Sequence, residues 1–190
     1  MKNLLTKILA IVAISSITLM ANPSSKPTFD LVDTNNQHIK ITSIKNGLHV
    51  DGADGKVVFI EFFGYKCPPC LKTIPHFINL KNKYKDKLEI ISIEVPMQLP
   101  PMYAPSIRGK ELKQFADKKG INYHLISDEN AGMFTNYIAQ GTQWEEGIPF
   151  LLILDTKGKA QVAQVGLIPQ NVLEQVIDKL LYNKPLPKVK

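Results

Sequence analysis

The chain has 190 residues, 44% hydrophobic and 21% charged, with 23 Lys and Arg against 17 Asp and Glu for a formal charge of +6. That length suffices for one domain with a sizeable core, and the composition is that of an ordinary globular protein. The Lys residues are scattered or in short solvated runs such as Lys81, Lys83, Lys85 and Lys87, with no basic stripe interleaved with aromatics, which argues against nucleic acid as a partner. Only two cysteines occur, Cys67 and Cys70. A domain stapled by structural disulfides would carry more, at separated positions, and so short a loop restrains an unfolded chain little. Redox chemistry explains the pair better.

Residues 1–21 read as a secretory signal peptide. Lys2 and Lys7 form a positive start, Ile8 to Met20 is apolar apart from Ser15, Ser16 and Thr18, and Ala21 follows. Leu19 stands where a cleavage site wants a small residue, so an uncleaved N-terminal membrane tether is the alternative. No cysteine near the leader supports a lipid anchor. Residues 22–28 read as a linker, 29–182 as the folded domain and 183–190 as a basic tail.

Phe29–Asp33 and His38–Ile41, separated by Thr34-Asn35-Asn36-Gln37, predict a short β-hairpin. Ser43 to Gly55 reads as loop, with a short strand around Leu48–Val50. Val57 to Phe63 is apolar except for Glu61 and ends at Gly64, the pattern of a strand buried on both faces. Cys67-Pro68-Pro69-Cys70 follows, and Leu71, Ile74, Phe77, Ile78 and Leu80 then fall at helical spacing towards an end near Asp86. Leu88–Val95 is a second buried strand, and strand–helix–strand in this length implies a parallel crossover. Pro96, Pro100, Pro101 and Pro105 keep the next stretch irregular, an insertion expected near the active-site face. Arg108–Lys119 predicts a helix stopped by Gly120. Beyond it come a short strand at Asn122–Ser127, a helix at Ala131–Ala139 and a loop at Gly141–Gly147. Pro149 opens the apolar strand Phe150–Leu154, a position where proline is tolerated. Lys157-Gly158 turns the chain into Ala160–Val165, and Pro169–Leu181 predicts a last helix with Val172, Leu173, Val176, Ile177 and Leu180 inward.

Two cysteines where a buried strand turns into a helix resemble the thioredoxin superfamily. Cys-Pro-Pro-Cys is most similar to the TlpA/ResA-like branch of extracytoplasmic thiol–disulfide oxidoreductases. Ile148-Pro149 before an apolar strand is similar to that superfamily's cis-proline, which packs opposite the CxxC. The resemblance covers roughly Val57 to Leu181. It implies an α/β thioredoxin-like fold, a central mixed β-sheet flanked by helices, here with the N-terminal β-hairpin as an extension. It also implies exported client proteins, apocytochromes among them, bound through transient mixed disulfides, and a membrane thiol–disulfide transporter as redox partner. No cofactor is implied.

By position and by resemblance, Cys67 is the attacking sulfur, at a helix N-terminus where unpaired N–H groups favour a thiolate. Cys70, one turn in, is the resolving sulfur. Neither Pro68 nor Pro69 can donate an N–H to Cys67, which should stabilise the thiolate less and favour a reductant. Glu61 occupies the place of the buried acid in thioredoxins. Desolvation there should raise its pKa and let it take the Cys70 proton; a solvated strand-edge position is the plainer reading. Ile148 and Pro149 should offer backbone groups to an extended client segment. Pro68, Pro69, Tyr65 and Trp144, with Phe63, complete the expected docking surface, although Trp144 reads equally as a packing residue. The family usually has tryptophan before the first cysteine, where this chain has Lys66.

Three other readings compete. A DsbA-like oxidant finds some support in EFFGYKCPPC, but Cys70 to Pro149 leaves little room for that family's helical insertion. A copper(I) chaperone would use both thiolates with Met97 or Met102. A peroxidase would need an Arg and a Thr or Ser around its cysteine, which the residues before Cys67 do not supply. Zinc is disfavoured because His38, His49, His76 and His124 show no ligand spacing.

Overall fold

The computed structural model describes residues 26–98, 103–145 and 147–183. The leader, the start of the linker and nearly all of the basic tail lie outside these residues. Among the described residues, no helix is long and apolar enough to cross a membrane.

The central sheet has five strands in the order β6-β5-β4-β7-β8. β4 (Val57–Phe63) lies in the middle, and every one of its residues is buried. It pairs in parallel with β5 (Leu88–Glu94) and antiparallel with β7 (Phe150–Leu154). β6 (His124–Ser127) continues the parallel side, and β8 (Ala160–Val165) closes the antiparallel side. This is the mixed sheet of a thioredoxin-like fold. The helices α1 (Pro68–Tyr84), α2 (Gly109–Lys119), α3 (Asp128–Thr142) and α4 (Gln170–Tyr182) flank it.

Burial on both faces explains why β4 reads as an apolar run interrupted only by Glu61. One face packs Ile60 and Phe62 with Phe134, Trp144 and Phe150. The other packs Val57 and Phe59 with Phe77, Leu173 and Ile177 from α1 and α4. The α4 stripe is narrower than its periodicity predicts: Leu173 and Ile177 are buried, whereas Val172 is exposed.

The N-terminal hairpin and the expected strand around Leu48–Val50 join in one sheet. β1 (Thr28–Val32), β2 (His38–Ile44) and β3 (Gly47–Val50) form a separate antiparallel sheet. β2 runs past Ile41 to Ile44, and the polar Ser43 within it meets the Tyr137 hydroxyl at 2.6 Å. Asp33 holds the β1–β2 turn through the amides of Asn35 and Gln37, and its other oxygen lies 2.8 Å from His124 Nδ1 at the start of β6. The extension is therefore tied to the edge of the central sheet. α3 is likewise longer than the 131–139 expected, running through Gly141, and Gln143 caps it in the left-handed region.

A second tie fixes β3 to the β7–β8 turn. Leu48 N donates to Gly158 O at 2.8 Å, and Ala160 N donates to Asn46 O at 3.0 Å. The approach is close enough that a Cβ on Gly47 would sit 2.0 Å from Gly158 O. Gly47→Ala should therefore lower the unfolding free energy by about 2–4 kcal/mol, measured by denaturant titration. Wild-type stability in that variant would contradict this contact.

Candidate active site

β4 ends at Gly64, and the chain turns so that Cys67 becomes the N-cap residue of α1. Pro68 and Pro69 take the first helical positions, where a missing N–H costs nothing. The first available donor is thus the Cys70 amide, which lies 3.3 Å from Cys67 Sγ. Cys67 and Cys70 form a disulfide with their Cα atoms 5.2 Å apart. Cys67 is 2% exposed and Cys70 fully buried, so the ordering matches the sequence argument, while the first sulfur is less open than it suggested.

Pairing of Phe62 with Phe150 brings the residues before β7 level with Gly64. The Ile148–Pro149 peptide is cis, and Ile148 O lies 3.9 Å from Cys67 Sγ. Glycine at 64 is what permits this approach: an added Cβ would meet Met97 Cγ at 2.6 Å and Ile148 Cδ1 at 3.0 Å. A cavity of about 290 Å³ opens beside Cys67, walled by Pro69, Met97, Ile148 and Trp144 and bearing Asp128.

Trp144 packs in the core and also lines the cavity. Its ring stacks on Phe150 at 4.9 Å and meets Phe62 at 4.7 Å, its indole N–H donates to Gly147 O at 2.7 Å, and one face lines the cavity. Phe63, expected on the rim, is instead buried in the core with Cys70 and Leu112. Tyr65 is half-buried beneath the Lys66 ammonium, which lies 5.2 Å from its ring centre. Pro69 belongs to the cavity wall, while Tyr65 and Pro68 are not part of it. Pro68 is exposed.

Glu61 is no solvated edge residue. It is 1% exposed beneath the disulfide helix. Burial pushes its carboxyl up to about 7, against the opposing effect of hydroxyls from Thr73 and Ser92 at 2.5 and 2.7 Å. Thr73 Oγ1 also lies 2.8 Å from Cys70 O. One hydroxyl proton cannot serve both acceptors fully. Thr73 Oγ1 divides its proton between the Glu61 carboxyl and the Cys70 carbonyl. Glu61 thus connects to Cys70 through Thr73.

Sequence reasoning missed a second buried acid. Glu94, at the end of β5, accepts from Ser106 Oγ and from Ile107 N at 3.1 Å, and burial raises it also to about 7. Its Oε1 is buried without a hydrogen-bond partner. The same signal that singled out Glu61, an acid within an apolar run, was present in LEIISIEV. Among the described residues, no three His, Cys, Asp or Glu gather to hold a metal. Met97 shares the cavity with Cys67, and Met102 lies outside the described residues.

The arrangement suits thiol–disulfide exchange. One sulfur faces a cavity, a second stands behind it, and a backbone carbonyl and a titratable acid lie alongside. Comparison with known proteins agrees. Residues 25–163 match the AhpC/TSA family, and the chain belongs to that family. It is 31% identical over 137 residues to protein DipZ of Mycobacterium bovis, covering 72% of this chain but only 18% of DipZ. It is 22% identical to the thiol-disulfide oxidoreductase ResA of Bacillus subtilis, over 82% of this chain and 73% of ResA. A thioredoxin-family thiol:disulfide interchange protein from Chlorobium tepidum superposes with a TM-score of 0.60 at 22% identity, covering 85% of this chain and 98% of that one.

A carboxyl raised from 4.5 to about 7 by burial has a definite effect on stability. Below the unfolded value both states hold the proton. As pH rises the unfolded chain ionises first, so stability falls until the folded group also ionises near 7. The loss is about 3 kcal/mol per group. Glu61→Gln should therefore be more stable than wild type at pH 8, with the gap closing towards pH 4. Parallel stability–pH curves for the two proteins would contradict a buried, neutral-favouring Glu61.

Proposed function

We propose that the protein is a thiol–disulfide oxidoreductase acting outside the cytoplasm, as a reductant of exported client proteins. The reading rests above all on Cys67, which caps a helix, lines a cavity and lies 3.9 Å from the carbonyl before cis-Pro149. Relatives named thiol-disulfide oxidoreductase support it.

In the forward direction the reduced protein binds an extended client segment against Ile148 and Pro149. The Cys67 thiolate attacks one sulfur of the client disulfide, and the other client sulfur leaves as a thiolate that takes up a proton. Cys70 then loses its proton and attacks Cys67 Sγ, releasing the second client sulfur. The client gains two electrons and two protons, and Cys67–Cys70 becomes the disulfide. A membrane dithiol donor, the partner expected from the TlpA/ResA-like resemblance, returns the pair to its reduced form. Clients of the apocytochrome kind, whose cysteines must be reduced before haem attachment, come from the same resemblance.

Glu61 serves as the acid–base group for Cys70 in this scheme. A base is ready when its pKa lies near working pH, and burial brings Glu61 there. Thr73 holds Glu61 beneath the helix turn that carries Cys70 by bonding both the carboxyl and the Cys70 carbonyl. The reducing direction follows from a sparse set of donors on Cys67: with prolines at 68 and 69, the Cys70 amide is the hydrogen bond its sulfur receives. A thiolate so modestly stabilised makes a weak oxidant.

Cys70→Ser expressed with its leader should accumulate mixed disulfides through Cys67, recoverable with client proteins attached, and Cys67→Ser should not. The wild-type pair should have a reduction potential more negative than about −200 mV against a glutathione buffer. A potential near that of a strong oxidant, about −120 mV, would reverse the proposed direction. Failure of Cys70→Ser to trap any protein would remove the oxidoreductase reading.

The resolving step should also depend on pH. Its rate in wild type should fall below an inflection near pH 7, as Glu61 becomes protonated and can no longer accept. Glu61→Gln should lose that inflection in single-turnover kinetics. An unchanged profile would assign the proton to another group.

A further inference from the structure

The cavity beside Cys67 is mostly apolar, yet one carboxylate is set into it. Asp128, the first residue of α3, is among the described residues the only ionisable side chain on its wall apart from Cys67. It stands there unmatched: among the described residues no cation pairs with Asp128. Arg108, just before α2, turns instead to Glu129 at 3.5 Å. Lys66, the basic residue preceding Cys67, lies over the Tyr65 ring and takes no part in the cavity wall.

Behind the same wall is a second buried acid, paired with no cation among the described residues. Val95, Pro96 and Met97 line the cavity, and Glu94 immediately precedes them with its Oε1 buried and unpartnered. Asp128 adds to the electrostatic field that opposes ionisation of Glu94, so the two carboxyls sense one another. Apolar surroundings hold Asp128 itself above its ordinary range. A protein of formal charge +6 therefore carries, next to its reactive sulfur, a mostly apolar pocket that holds a carboxylate and, among the described residues, no cation.

We propose that Asp128 is a specificity-determining residue that selects client segments carrying Lys or Arg close to the cysteine. The proposal rests on the oxidoreductase reading above and names the class of client that the site prefers. In an extended segment, side chains two positions apart share a face. A client cysteine directed at Cys67 thus sends the residue two before or two after it towards the same side as the cavity. A long basic side chain can lay its methylenes along Met97 and Trp144 while its charged head reaches Asp128. A Glu at that position would meet like charge in a partly desolvated place and be rejected, so the carboxylate discriminates in both directions.

The test uses disulfide-linked peptide dimers differing only two residues before and after the cysteine, with Lys, Ala or Glu at both positions. Second-order rate constants are measured for the reduced full-length protein. The Lys peptide should react about tenfold faster than the Glu peptide, with Ala between. That ratio should collapse to about twofold in Asp128→Asn and persist in Glu129→Gln, whose carboxylate is a neighbour outside the cavity wall. Equal rates for the Lys and Glu peptides in wild type would overturn the proposal. So would a ratio that survives Asp128→Asn, or one that falls as far in Glu129→Gln. Turnover of uncharged 2-hydroxyethyl disulfide by wild type separates this failure from failure of the oxidoreductase reading, which would abolish that reaction too.

Discussion

The site depends on one contact: the amide of Cys70 reaching back 3.3 Å to the sulfur of Cys67. That contact exists because a strand buried on both faces delivers the chain to the mouth of α1 in a fixed place. The two prolines between the cysteines leave no competing donor inside the motif. A sulfur capping a helix gains from the unpaired N–H groups at its start, and here that gain is limited to what the first available amide provides. How far the Cys67 sulfur is stabilised as a thiolate follows from how that one N-cap is made.

Below the sulfurs the constraint is electrostatic. Glu61 and Glu94 occupy buried places on adjacent strands, and each is held by hydroxyl or amide donors rather than by a cation. Hydrogen bonds to the ionised form pull each carboxyl down, but desolvation is the larger effect and leaves both near neutrality. Buried carboxyls of this kind subtract from stability at neutral pH. Their retention beside a redox pair makes sense where a proton must be moved. By contrast Glu89, also largely buried, is paired with Lys56 and Lys81 and has its pKa lowered despite desolvation. Pairing separates an acid that ties structure together from one free to titrate.

Much of this was legible in the sequence, for identifiable reasons. β4, α1 and β5 have strong periodicity or unbroken apolar runs, and Gly120 marks the end of α2 as its left-handed cap. The strand after Pro149 was equally plain. Less legible was whatever depends on contacts between distant segments. The short strand around Leu48–Val50 was expected, but its tie to the β7–β8 turn, which needs Gly47 to lie against Gly158, depends on a segment far along the chain. α3 runs through Gly141 because Phe134 and Ile138 pack into the core and hold the helix past its weak residues. Thr73, Ser92 and Asp128 are ordinary polar residues until the fold sets them beside Glu61 or Cys67. Val172 and Phe63 erred in opposite directions, one expected in and found out, the other expected at the rim and found buried. Periodicity gives the face of an element but not how much of that face a neighbour covers.

The central claim is that Cys67 is the sulfur that attacks, because it caps α1 and meets the cavity while Cys70 is enclosed. Limited alkylation tests this most directly: the fully reduced protein is treated with one equivalent of iodoacetamide at neutral pH and the modified peptide is identified by mass spectrometry. The account expects the label on Cys67, with Cys70 protected until the protein is unfolded. Labelling of Cys70 first, or of both sulfurs equally in the folded protein, would contradict it.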